Sequence, residues 1–131
     1  MTRATGPFDV KLNLLETYNS TDPTMGRRSI DKQFHGDLEA TSKGEMLAFM
    51  TSVKGSAGYV AMEQVTGTLN GRSGTFVLQH TGTMTRGDQH QSVTVVPDSA
   101  TGELKGLSGK MTIIVANGNH SYDFDYEIAS L

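Results

Sequence analysis

Tyr59-Val60-Ala61-Met62-Glu63-Gln64-Val65-Thr66-Gly67-Thr68-Leu69, then Asn70-Gly71, then Arg72-Ser73-Gly74-Thr75-Phe76-Val77-Leu78-Gln79-His80-Thr81-Gly82-Thr83-Met84-Thr85: this stretch decides the fold. Asn-Gly is the preferred pair of a two-residue type I′ turn, because both central residues take positive φ. The flanks read as strands over Tyr59–Leu69 and Arg72–Thr85. A two-residue turn fixes their register, so Leu69 faces Arg72, Val65 faces Phe76, Glu63 faces Leu78 and Ala61 faces His80. One face then carries Tyr59, Ala61, Glu63, Val65, Phe76, Leu78, His80 and Met84. It is the more aromatic face and is read as the interior. Val60, Met62 and Val77 fall on the outer face.

The same punctuation recurs along the chain. Lys110–Ala116 and Asn119–Ile128 form a second hairpin about Asn117-Gly118. Its register sets Val115 beside His120, Ile113 beside Tyr122 and Met111 beside Phe124, with Tyr126 on the same apolar face. Asp123, Asp125 and Glu127 form the solvated face. Phe8–Glu16 reads as the first strand, Thr17–Thr24 as a loop, and Arg27–Ala40 as one long alternating strand that bends at Gly36. Its inner face is Ile30, Lys32, Phe34, Gly36, Leu38 and Ala40. Ser42-Lys43 reads as the next turn and Glu45–Ser52 as the returning strand. His90–Val96 is a strand ended by Pro97, and Asp98–Gly109 a glycine-rich connection. Eight strands in sequential hairpins predict an all-β, antiparallel, up-and-down barrel, since closure removes exposed edges. Eight strands leave an interior that side chains can fill or that holds one small ligand.

Composition agrees and excludes alternatives. The chain has 131 residues, enough for one domain, with residues 1–6 read as a loose terminus. Its 15 glycines fall between short alternating segments, the pattern of strand and turn. There is no cysteine, which excludes disulfides and thiolate metal sites. A net charge of −3 without a basic run argues against a nucleic-acid partner. No apolar run approaches a membrane span, and the first residues lack the apolar segment of a secretory signal, so the expected location is the cytoplasm. His35, His80, His90 and His120 lack any metal-ligand spacing, so no metal or cofactor is expected.

Several long strings resemble a bacterial family of unknown function described as having an allene-oxide-cyclase-like β-barrel. They are Ser29-Ile30-Asp31-Lys32-Gln33-Phe34-His35-Gly36-Asp37-Leu38-Glu39, Val53-Lys54-Gly55-Ser56-Ala57-Gly58-Tyr59-Val60-Ala61, Thr66 through His80, Val95 through Leu104, and His120-Ser121-Tyr122-Asp123-Phe124-Asp125-Tyr126. The likeness covers residues 6–128. More distantly, Gly102-Glu103-Leu104-Lys105-Gly106-Leu107-Ser108-Gly109 resembles a glycine-rich stretch of plant allene oxide cyclases and dirigent proteins, with Leu104 replacing their aromatic residue. The resemblance implies an eight-stranded barrel with an apolar cavity and a homo-oligomer, a dimer or trimer. It carries over no reaction, because the cyclase's acidic cavity residue matches no motif here.

The candidate site follows from the hairpin register. Glu63 and His80 lie diagonally on one apolar face, where Cβ atoms sit roughly 5–8 Å apart. Such a pair can orient a polar ligand group or move a proton; the competing reading is a mutually satisfied buried pair. Lys32, between Ile30 and Phe34, is read as a rim lysine that snorkels to water, the alternative being a counter-charge to Glu63. Tyr59, Tyr122 and Tyr126 would add phenols to the candidate cavity, the competing and favoured reading being core aromatics with satisfied hydroxyls. The expected function is binding of a small apolar organic ligand, with Glu63 and His80 as polar anchors. The alternatives are a cofactor-free isomerase or cyclase using that pair, and a closed-core structural homo-oligomer joined through Val60, Met62 and Val77.

Overall fold

The computed structural model describes residues 1–18 and 24–130. Eight strands follow in order: β1 (Thr2–Leu15), β2 (Met25–Phe34), β3 (Leu38–Met50), β4 (Ala57–Leu69), β5 (Arg72–Thr85), β6 (Asp88–Val95), β7 (Leu107–Ala116) and β8 (Asn119–Ile128). Each pairs antiparallel with its neighbour and β8 closes on β1, giving an up-and-down barrel. Both Asn-Gly turns form as the sequence predicts, with positive φ at Asn70, Gly71, Asn117 and Gly118. Their registers also match, with Glu63 opposite Leu78, Ala61 opposite His80, and Ile113 opposite Tyr122. No helix among the described residues is long and apolar enough to cross a membrane.

Three readings change. The long strand over Arg27–Ala40 is two strands, because Gly36 is the turn and not a bend. Its φ of +95° is open to glycine at no steric cost. Phe34 pairs with Ala40 and Lys32 with Ser42, so Ser42-Lys43 is not a turn but lies within β3. Even-numbered residues pair with even-numbered ones across this hairpin, so the inner face survives the misplaced turn. Second, Thr2–Gly6 is not loose. It pairs with β8, and Ala4 is fully buried. Third, the glycine-rich connection holds a 3-10 turn at Gly102–Leu104, which drives Leu104 into the core. The loop read over 17–24 falls, at residues 19–23, outside the described residues.

The barrel is filled unevenly. At the end bearing the Gly36 and Asn70-Gly71 turns, Phe34, Leu38, Leu69, Phe76, Leu104 and Phe124 pack as a dry core. Burying each such side chain contributes roughly 1.5–3 kcal/mol. Phe76 and Phe124 stack at 6.0 Å between centroids, and Tyr122 meets Phe34 edge-on at 5.6 Å. The Tyr122 hydroxyl staples the Gly36 turn: it accepts from the Leu38 amide at 2.9 Å and donates to the His35 carbonyl at 2.6 Å. The other end, with the Arg86-Gly87 and Asn117-Gly118 turns, is open.

Candidate functional site

A polar layer separates the filled half from the open one. Lys32 on β2, Ser42 on β3, Glu63 on β4 and His80 on β5 all face inward from consecutive strands. Glu63 is the hub. Lys32 Nζ donates to Oε1 at 2.8 Å, His80 Nε2 lies 2.6 Å from the same oxygen, and Ser42 Oγ donates to Oε2 at 2.5 Å. The layer is dry: Glu63 is 1% exposed, Ser42 3% and His80 5%. Lys32 therefore does not snorkel at the rim. Its side chain is 7% exposed, and its ammonium sits 5.1 Å above the Phe8 ring and 5.7 Å above that of Phe34. Cation–π attraction and the carboxylate together replace the water it gave up.

Gly44 makes room for the hub. It pairs with Glu63, and a Cβ there would lie 2.0 Å from the Met62 carbonyl oxygen and 2.8 Å from Glu63 Cβ. Burial pushes the Glu63 carboxyl upward. The His80 hydrogen bond, the Lys32 charge and the pull of His80 outweigh it and hold the carboxyl at about 2, against an ordinary 4.5. Glu63 is thus a carboxylate at neutral pH, and a carboxylate only accepts. His80 Nε2 must then carry a proton and donate it. His80 Nδ1 has no partner among the described residues, and no buried side-chain nitrogen or oxygen is left unsatisfied. That nitrogen is therefore not sealed from solvent.

Above this layer the barrel widens into a cavity of about 470 Å³. Inward residues of β3 to β7 line it, chiefly Met46, Ala48, Tyr59, Met84, Ile113 and Val115. Its floor begins at Gly82, one inward position above His80 on β5. The Tyr59 ring lies across Gly82, where a Cβ would come within 2.1 Å of it, and its hydroxyl accepts from Gln91 Nε2 at 2.5 Å. Larger grooves, 660 and 520 Å³, run along the outer wall beside Leu47, Val60 and Thr81. They lie mainly between outward side chains; the smaller one also reaches Ala61 and His80, which lie below the cavity and do not line it. Val60 and Met62 are exposed there, as the sequence suggests, while Val77 is half-buried.

Of the six candidate residues, Glu63, His80 and Lys32 come together, and Tyr59 lies at the mouth. Tyr122 and Tyr126 belong to the filled half, the latter's hydroxyl accepting from Asn70 Nδ2 at 2.7 Å. Ser42 is the member that sequence reasoning missed. Placing the turn at Gly36 recovers it, because Ser42 then continues the even-numbered inner face opposite Lys32. Among the described residues no cluster of three or more His, Asp or Glu side chains is arranged to hold a metal ion.

The sequence profile of a family described as "Protein of unknown function (DUF3224)" matches residues 4–126. A crystal structure of a protein of unknown function from the same family, from Shewanella oneidensis MR-1, superposes with a TM-score of 0.95. The two sequences are 52% identical, over 100% of this chain and 99% of that one. No functionally curated protein matches. With nearly the whole chain inside the profile, this barrel belongs to the DUF3224 family.

Proposed function

We propose that the protein binds a small apolar organic ligand in the open half of its barrel, with His80, held by Glu63 one inward position below the Gly82 floor, as the polar group beneath it. The observation that carries this reading is the 470 Å³ cavity with an apolar wall, since drug-sized ligands occupy roughly 300–1,000 Å³ sites of this character. Methionines at its lip, Met46, Met50 and Met84, suit a wall that adapts to its occupant. Glu63 supports orientation over acid–base chemistry. A carboxylate held at about 2 is a weak base at neutral pH, far from the value that general-base catalysis favours. Its partners also occupy both of its oxygens.

Calorimetric titration with 4-phenylbutanol, a neutral apolar probe, tests the reading. One molecule per chain is expected to bind. Ala48→Phe, which fills the lip, is expected to abolish that heat while keeping the thermal midpoint within a few degrees. If the wild type shows no heat and native mass spectrometry finds no organic molecule carried through purification, the binding reading falls.

A further inference from the structure

The inner face of β2 does not stop at Ile30. Arg28 and Gly26 continue it toward the open end, Arg28 opposite Met46 and Gly26 opposite Ala48. Both partners line the cavity. The Arg28 guanidinium folds back along its strand, with Nη1 3.4 Å from where a Cβ on Gly26 would sit. It therefore lies at the lip, on the inner side of the wall. Its neighbour Arg27 points outward and is engaged: it pairs with Glu45, and its Nη1 donates to the Glu16 carbonyl at 3.1 Å. Arg28 is half-buried, yet it forms no ion pair or side-chain hydrogen bond with any described residue.

The inward charges of this half point the same way. Arg28, Lys32, Tyr59, Glu63, His80 and His120 are its ionisable side chains among the described strand residues. Two cations face one carboxylate before either histidine is counted, although the chain as a whole carries −3. Glu63 is engaged by Lys32, His80 and Ser42, so no carboxylate among the described inward residues neutralises Arg28. A guanidinium presents a planar fork of donors that matches a carboxylate bidentately.

We propose that the ligand of this cavity is an apolar organic acid, its carboxylate on Arg28 and its hydrocarbon body among Met46, Met84, Ile113 and Val115. This inference rests on the binding reading above and narrows it. The test is calorimetry with 4-phenylbutyrate and 4-phenylbutanol, which differ in the anionic head. Wild type is expected to bind the acid at least about tenfold more tightly, the scale of one charge-assisted contact. Arg28→Gln is expected to cut acid affinity by about tenfold or more and leave the alcohol within about twofold. Arg28→Lys keeps the charge and is expected to recover part of the loss. Equal binding of acid and alcohol by wild type, or an equal effect of Arg28→Gln on both, overturns the anion assignment and leaves the binding reading standing. Failure of both probes to bind wild type overturns the acid assignment, and the binding reading falls with it if native mass spectrometry also finds no organic molecule carried through purification.

Discussion

Glu63→Gln is the sharpest perturbation of the polar layer, and its cost should depend on pH. The substitution removes a charge but keeps the shape. It leaves the Lys32 ammonium buried without its carboxylate and sets an amide against the donors of Lys32, His80 and Ser42. Breaking one side of a buried ion pair costs about 3–5 kcal/mol. Holding the carboxyl at about 2 instead of 4.5 contributes about 3 kcal/mol of this at neutral pH. A depressed carboxyl stabilises the native state fully above its unfolded value and loses that contribution as pH falls toward the folded one. The difference between wild type and Glu63→Gln should thus be flat from pH 7 to about 5. It should shrink by about 2 kcal/mol at pH 3 and level off only below about pH 2. Urea unfolding of both proteins at matched pH measures it. Adding Lys32→Met to Glu63→Gln removes the stranded charge and should recover a large part of the loss. A gap under about 1 kcal/mol at pH 7, or one that does not change between pH 6 and 3, refutes the electrostatic account of the layer.

Two further substitutions separate the roles of other inward groups. Tyr122→Phe keeps the ring against Phe34 but leaves the buried Leu38 amide unpaired, so it should cost about 1–3 kcal/mol in chemical denaturation and speed hydrogen exchange at Leu38. Gly44→Ala forces a Cβ to 2.0 Å from the Met62 carbonyl and should cost about 1–3 kcal/mol or more. Gly58→Ala on the outer wall meets only the Gly82 carbonyl at 3.8 Å and should stay within about 0.5 kcal/mol.

Turn chemistry decided what the sequence could reveal. Asn70-Gly71 and Asn117-Gly118 admit one short turn each, and such a turn leaves no freedom in the pairing of its strands. Glu63, Leu78, Ala61 and His80 could therefore be placed on one face from the chain alone, as could Ile113 and Tyr122. The Gly36 turn carries no such signature. His35, Asp37 and Glu39 continue the polar alternation straight through it, and the hairpin pairs like parity with like. The strand division was illegible there, but the inner face was not. Ser42 was lost by the same error, since a residue assigned to a turn has no face. Thr2–Gly6 escaped because its order comes from closing on β8, a contact between the two ends of the chain that no local pattern encodes.

The site divides along a related line. Lys32 looked like a rim residue because an isolated lysine on an apolar face is cheapest in water. Its burial becomes affordable only when Glu63, thirty-one residues away, and the rings of Phe8 and Phe34 converge on it. Those partners engage the Lys32 ammonium, both Glu63 oxygens and the Ser42 hydroxyl. Two inward groups have no side-chain partner among the described residues, His80 Nδ1 below the cavity and the Arg28 guanidinium beside Gly26, and they are the ones the binding proposal uses. An apolar wall lies between them. In this barrel the engaged polar groups account for the architecture, and the proposed ligand chemistry rests on the unengaged ones.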